Sequence, residues 1–198
     1  RWPHFYYFVM IVLGPGLLMN LSAKGFLHKY SLPGKALNVG SGPRTLAGAT
    51  NVDITPYTGV DVVADAAGLP FADGEVARLI YDTVLEHVDK PETVIAEGAR
   101  VLQKGGYLYA SVPFMYPFHS SPSDFTRWTH EGIKNICERN GLHVVESGIR
   151  TGPFSVLVLW LCYFVASLLC FGSKRMYSFL LNATLLLFFW IKIFDIVA

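Results

Sequence analysis

Residues 154–171, FSVLVLWLCYFVASLLCF, contain no charged side chain and only two serines in 18 positions. A run of this kind has no place on the surface of a water-soluble domain. It approaches the ~20 residues that a membrane-crossing helix needs, with ~17 as the lower limit. Gly172, Ser173, Lys174 and Arg175 interrupt it, and a second run from Met176 to Ile191 carries Asn182 and Thr184 within 16 positions. By length the first run qualifies as a span and the second is marginal. Two arrangements fit. One is a transmembrane hairpin, which would set Lys174 and Arg175 across the bilayer from a cytosolic domain, against the positive-inside tendency. The other is a monotopic pair in one leaflet, with Lys174, Arg175 and Lys192 at the headgroups.

The rest of the chain has a different character. Apolar residues make up 34 of 45 positions in 154–198 and 18 of 31 in 1–31, but only 51 of 122 in the middle. The middle carries a net charge of −4 and the two ends together +5, so the overall +1 conceals an acidic domain between basic apolar flanks. These shifts divide the chain into an N-terminal anchor or packing helix (1–31), a globular domain (32–152) and a C-terminal hydrophobic helical pair (153–198). The N-terminal run from Phe5 to Met19 is broken by Gly14-Pro15-Gly16. It is too short to span and lacks a signal-peptide cleavage site. Lys24, His28 and Lys29 follow it and suit an anionic membrane surface. The chain opens on Arg1 rather than methionine, as a segment of a longer protein would. Cys137, Cys162 and Cys170 form no CxxC pair and no ligand-like spacing with histidine, so neither a disulfide framework nor a metal site is expected. No basic stripe with interleaved aromatics appears, which argues against a nucleic-acid partner. Nothing in the sequence sets an oligomeric state.

In the middle, short apolar runs alternate with helical periodicity. Ala36–Val39, Asn51–Asp53, Val60–Asp65, Arg78–Tyr81, Tyr107–Val112 and Leu142–Ser147 read as strands. Pro91–Gln103 reads as a helix ended by Gly105-Gly106, and a second helix runs from Thr129 to Asn140-Gly141. The alternation predicts an α/β domain with a six-stranded parallel sheet, whose ligand sits at the carboxyl ends of the strands. Gly40 and Gly42 follow the first strand, where absent side chains let a ligand approach the backbone. Asp53 ends the second strand, positioned for ribose hydroxyls, and Asp65 ends the third, positioned for an adenine amino group.

The stretches ALNVGSGP, NVDITPY, VVADAAGLPFADG, LIYDTVLEHV and ARVLQKGGYLYASVP occur in this order. Together they resemble the class I S-adenosylmethionine-dependent methyltransferases, over about residues 35–150. The resemblance implies a seven-stranded Rossmann-like fold, here closing with six because no clear seventh strand follows 142–147, and S-adenosylmethionine as cofactor. It places Asn38, Gly40, Ser41, Gly42, Asp53, Ile54, Asp65, Ala66 and Asp82 at the cofactor. Only ten residues separate Gly42 from Asp53, against ≈ 20 in a dinucleotide fingerprint, so the usual first helix must shrink to a turn. An NAD site would need a glycine where Thr45 stands, and a helix to receive the pyrophosphate.

Methyl transfer needs an aligned nucleophile and often a proton acceptor. His87, in LEHV, lies at the rim of the expected pocket, with Glu86 fixing the loop beside it. The segment PFMYPFHSSPSDFTRWT follows the fifth strand and resembles the H-x-x-P-x-D-[FY]-x-R-[FWY]-T segment of a methyltransferase subgroup often found with cell-envelope genes. In it His119, oriented by Asp124, is the candidate base or substrate ligand, with Phe114, Tyr116, Arg127 and Trp128 around the acceptor. The competing reading makes Asp124 and Arg127 a pair that braces the loop. His130 and His143 read as surface positions. The expected protein is a membrane-associated methyltransferase with a cytoplasmic catalytic domain and a small-molecule or lipid-linked acceptor. The alternative is a non-catalytic membrane-attached module that keeps the fold.

Overall fold

The structure is a computed structural model that describes residues 22–196. The N-terminal run Phe5–Met19 lies outside the described residues. The described chain forms two compact units, residues 22–147 and 148–196.

In the first unit the order is α1 (Ala23–Lys29), β1 (Lys35–Val39), β2 (Thr50–Asp53), β3 (Val62–Val63), β4 (Val76–Asp82), α2 (Pro91–Val101), β5 (Leu102–Ser111) and α3 (His130–Arg139). The strands form one parallel sheet in the order β3-β2-β1-β4-β5. The order reverses between β1 and β4, and the crevice at such a reversal is where sheets of this kind bind ligands. β4 lies inside the sheet and is covered on both faces. Leu79 and Tyr81 enter the main core with Leu37, Val39, Val52, Val94 and Ile95, while Ile80 meets Ala23 and Phe26 of α1. Such two-sided burial is why the strand reads as a nearly continuous apolar run. β5 alternates in the same way, with Leu108 and Ala110 toward the main core and Tyr107 and Tyr109 toward α1.

α2 begins with Pro91 at its first turn and buries Val94, Ile95, Gly98 and Val101. Gly98 is there for closeness: a Cβ would stand 2.7 Å from the Tyr81 hydroxyl and 2.8 Å from Leu79 Cδ2. The Tyr81 hydroxyl donates to the Val94 carbonyl at 3.1 Å, which locks the helix onto β4. α3 starts at Thr129, whose hydroxyl accepts the Gly132 N–H at 3.0 Å.

Of the two alternatives for residues 1–31, α1 takes the packing one: Phe26 is 3% exposed against Ile80 and the Tyr109 ring. Three expectations need correction. The third strand is only Val62–Val63, since the chain turns away at Asp65 through the bond from Gly68 N–H to the Asp65 carbonyl. Residues 102–106 continue α2 directly into β5 as a bulge, and regular pairing resumes at Arg78 with Tyr107. Leu142–Ser147 pairs with no strand among the described residues. Its valines, Val144 and Val145, stay exposed, and Glu146 is held instead by Lys29 Nζ at 2.6 Å and the Tyr30 hydroxyl at 2.7 Å. A β-favouring sequence makes a strand only where a neighbour and a buried face await it. The sheet therefore has five strands among the described residues, with β3 and β5 at its edges.

The second unit is a helical hairpin: α4 (Pro153–Leu169), α5 (Lys174–Phe188) and a closing 3₁₀ segment (Phe189–Ile196). Here the ranking of the two runs reverses. α4 has 17 residues, whereas Lys174–Ile196 is a continuous helical stretch of 23 residues, long and apolar enough to cross a membrane. At 1.5 Å per residue the latter extends about 34 Å, against ~30 Å for a bilayer core. α4 buries Ser155, Val158, Leu159, Cys162 and Ala166, while Leu157, Trp160, Phe164 and Leu168 form an exposed stripe. Asp195 closes the hairpin. Its buried carboxylate accepts the Phe154 and Ser155 N–H groups, at 2.8 and 2.9 Å, and the Ser155 hydroxyl. It thus caps a helix start whose own cap position, Gly152, has no side chain to offer. Lys192, expected at headgroup level, is 3% exposed.

Replacing Phe26 by Ala tests the place of α1. The full chain in detergent is expected to lose about 3–5 kcal/mol of domain stability, read as a lower denaturant midpoint. A loss under ~1 kcal/mol would mean that α1 does not seal the sheet.

Candidate active site

Strand β1 ends at Val39, and the chain turns at once through Gly40 and Gly42, both with positive φ (68° and 58°). The Gly40 and Ser41 N–H groups donate to the Val52 carbonyl at 2.8 and 3.1 Å, which ties the turn to β2. A Cβ on Gly40 would lie 2.5 Å from Val84 Cγ2, so only glycine lets the loop after β4 close against the turn after β1. A Cβ on Gly42 would meet nothing within 4 Å, because it would point into open space. Asp53 stands beside it. Its Oδ2 accepts the Gly42 N–H and its Oδ1 the Thr55 N–H, both at 2.8 Å. The next residue, Ile54, is 65% exposed and presents an apolar surface at the rim. Asp65 is exposed two residues beyond β3, with one oxygen accepting the Ala67 N–H at 2.9 Å and the half-buried Ala66 between them. Asp82 is half-buried at the end of β4.

The connection from β1 to β2 contains no helix, and Asn51 holds it in shape. The Asn51 Oδ1 accepts the Leu46 N–H at 2.7 Å and the Asn38 side chain at 3.0 Å, while its Nδ2 donates to the Ala49 carbonyl at 3.2 Å. Asp61 accepts the Asn51 N–H at 2.7 Å. Asn38 is thus a sheet-internal partner of Asn51. Ser41 is buried too, and its hydroxyl donates to the Gly42 carbonyl at 3.3 Å, which shapes the turn. The sequence reading missed Asn51 and Asp61. Their signal was an asparagine inside an otherwise apolar strand, a buried polar group that must find partners.

The second group of candidate residues lies at the ends of β4 and β5. A tight turn, with the His87 N–H on the Val84 carbonyl at 2.9 Å, buries Glu86 completely. Neither Glu86 carboxylate oxygen has a hydrogen-bond partner. Burial pushes this carboxyl above the usual range, opposed in part by its own backbone N–H and by the His87 and Arg127 charges. The His87 and His119 rings meet edge-on with centroids 4.9 Å apart, and the Tyr116 ring lies 4.8 Å from that of His119. One ligand atom each from Glu86, His87 and His119 falls within 4.8 Å of the others. A spacing of 32 residues between the two histidines gave no motif, so the sequence alone showed no such group.

Arg127 is a brace. Its Nε donates to the Tyr116 carbonyl at 2.9 Å, and its Nη2 to the Pro117 carbonyl at 3.0 Å and to Asp124 at 2.7 Å. Its Nη1 donates to the Thr126 carbonyl and to Asp124. All five donors are used, so the expected substrate contact of Arg127 gives way to loop support. The guanidinium holds the Asp124 carboxyl far below the usual range. Asp124 also accepts the His119 backbone N–H at 2.7 Å, and its oxygen is 3.6 Å from His119 Nδ1. It orients His119 chiefly through the main chain. Trp128 is half-buried and packs its ring against the core. Phe114 and Tyr116 are exposed as a rim position requires, as are Met115, Phe118 and Phe125.

A reversing parallel sheet with a glycine turn and carboxylates at successive strand ends defines a Rossmann-like nucleotide-cofactor domain. Residues 37–110 match the methyltransferase domain family. The chain is 28% identical over 102 residues to an uncharacterised protein of Methanocaldococcus jannaschii, covering 43% of this chain and 48% of that one. It thus spans about half the length of that curated relative. Among solved structures, an S-adenosylmethionine-dependent methyltransferase of Thermotoga maritima superposes with a TM-score of 0.51 at 22% identity, covering 71% of this chain and 78% of the other. A phosphoethanolamine N-methyltransferase of Haemonchus contortus, solved with phosphomonomethylethanolamine and S-adenosylhomocysteine, gives 0.53 at 15% identity, over 84% of this chain and 48% of that one. Residues 37–110 are thus a methyltransferase domain by the family match, with the fold of S-adenosylmethionine-dependent methyltransferases. Its residues fit that cofactor. The space over Gly42 is open, Ile54 offers an apolar face, and the missing first helix costs nothing to a nucleoside without a pyrophosphate.

Gly40→Ala is expected to destabilise the domain by about 1–3 kcal/mol through overpacking. Val84→Ala in the same chain should return part of that loss, leaving the cost of a left-handed alanine, about 1–2 kcal/mol. Additive losses in a denaturant double-mutant cycle would show that the two loops do not touch.

Proposed function

We propose that this protein transfers a methyl group from S-adenosylmethionine to a lipid-linked acceptor at a membrane, with its catalytic domain on the cytoplasmic side. The observation that carries the proposal is the covalent union of a methyltransferase domain with a hairpin whose outer surface is apolar. Leu157, Trp160, Phe164, Phe179, Leu187 and Trp190 are each between 47% and 66% exposed, an area that water does not tolerate as one patch. The domain repeats the theme, because its acceptor-side loop presents Phe114, Met115 and Phe118 outward.

Each group has a part in this reading. The Gly42 turn, Asp53, Ile54 and Asp65 hold the nucleoside. The cofactor, when bound, supplies an electrophilic methyl group on a sulfonium. Glu86, His87 and His119 receive the polar group of the acceptor, and the exposed aromatics take its apolar part and exclude water. Arg127 and Asp124 keep the His119 loop in place, so the acceptor is positioned by a braced segment and not by a free loop. The phosphoethanolamine methyltransferase of Haemonchus contortus shares the fold, and its phosphorylated acceptor supports a headgroup-like substrate here.

Binding and turnover test the two halves separately. S-adenosylhomocysteine should bind the detergent-solubilised chain. Asp65→Ala should weaken it by about 10-fold or more, the worth of one hydrogen bond to a charged group, without changing the unfolding midpoint. Incubation of the chain with labelled cofactor and a membrane lipid extract should put label in the organic phase. Failure to bind S-adenosylhomocysteine would sink the enzyme reading, and label confined to water-soluble acceptors would sink the lipid assignment.

A further inference from the structure

We propose that Glu86, His87 and His119 form a binding site for a divalent first-row transition-metal cation at the acceptor end of the active site. The carboxylate makes the strongest demand. Glu86 is 0% exposed and neither of its oxygens has a hydrogen-bond partner. Buried carboxylates in proteins are paired, hydrogen-bonded or bound to metal. The guanidinium of the neighbouring Arg127 has no donor left for it, since Asp124 and three carbonyls use them all.

The two imidazoles are set up as ligands. His87 Nδ1 lies 2.6 Å from the Ser123 carbonyl, and His119 Nδ1 lies 3.2 Å from the Pro117 carbonyl. A carbonyl only accepts, so each Nδ1 carries the proton and each Nε2 keeps its lone pair. Metal-bound histidines are held in this way, with the second nitrogen donating to a carbonyl or carboxylate. His87 Nε2 stands 3.9 Å from Glu86 Oε1, and the three ligand atoms of the group span no more than 4.8 Å. Bonds of about 2.1 Å in a tetrahedral site need ligand atoms roughly 3.4 Å apart. Small side-chain rotations close that difference, most easily at the one-third-exposed His119.

Two histidines and one carboxylate leave coordination positions open, the arrangement of zinc hydrolases and of non-haem iron sites. The inference needs the acceptor-site reading only for what fills those positions, namely an oxygen or nitrogen of the acceptor in place of water. The brace acquires a purpose as well. Arg127 holds the Pro117 carbonyl that orients His119, and Asp124 holds the His119 backbone.

The test uses the full chain in detergent, stripped of metal and titrated with Zn²⁺ and with Co²⁺. One equivalent should bind, Co²⁺ should give visible d–d bands, and Zn²⁺ should raise the thermal midpoint. Glu86→Gln, His87→Ala and His119→Ala should each weaken binding by more than the roughly 10–100-fold that loss of an outer-shell partner costs. His143→Ala, at an exposed position outside the group, should leave it unchanged. S-adenosylhomocysteine affinity, measured on every variant, reports that the domain is folded. Wild-type chain that binds S-adenosylhomocysteine but no stoichiometric Zn²⁺ or Co²⁺ overturns the metal site and leaves the cofactor reading standing. So does metal binding that survives all three substitutions, since the cation would then sit elsewhere. Metal binding without S-adenosylhomocysteine binding would overturn the cofactor reading alone.

Discussion

Strand β4 is the member on which the rest of the domain depends. It is buried on both faces, with Leu79 and Tyr81 under α2 and Ile80 under α1. A strand so enclosed can carry polar chemistry only at its ends, and its carboxyl end carries Asp82, Glu86 and His87 in six residues. The contact of Gly40 with Val84 then presses the turn after β1 against the loop after β4. In this way one packing contact places the Gly40–Gly42 turn beside the loop that carries Glu86 and His87. The strand-order reversal supplies the crevice, and the glycine sets its width.

The short link between β1 and β2 follows a different logic. Where a helix would satisfy its own backbone, ten residues cannot, and the backbone groups of the loop must be met from elsewhere. Asn51 meets those of Leu46 and Ala49, and Asn38 and Asp61 hold Asn51. The cost is two buried amides within the sheet. The gain is a compact turn that suits a cofactor with no pyrophosphate to place on a helix terminus.

What was legible in the sequence had a local cause. The β1 and β4 runs, α2 with its leading Pro91, α3 with its Thr129 cap, the glycine turn and the strand-end aspartates are written in spacing and residue type. What was not legible depended on distant partners. The valines of 142–147 favour a strand but find no neighbour, and Glu146 is taken by α1. Arg127 looked like a substrate contact because its five acceptors, most of them backbone carbonyls, leave no mark in the sequence. Glu86 looked like a loop-fixing residue, yet its side chain fixes nothing. Its backbone carbonyl does that work, accepting the Phe125 N–H at 2.7 Å.

The opposite charges of the two units have a physical sense once each is seen alone. The domain is acidic and gathers its main apolar set in a core, leaving Ile54 and the Phe114–Phe118 loop outward. The hairpin turns Phe, Leu and Trp outward and buries Ser155, Thr184, Lys192 and Asp195, while Lys174, Arg175 and Asn182 stay exposed. Asp195 and Lys192 are buried, Asp195 on the backbone of α4 and the Ser155 hydroxyl. On the proposed membrane reading, the exposed apolar side chains face lipid, where an unsatisfied helix start costs more than it does in water. Hence the cap on α4 comes from a carboxylate 41 residues away, at the far end of the hairpin. The same bond that satisfies the first turn of α4 also fixes the register of its partner helix, so solvation and pairing in this unit are one problem with one solution.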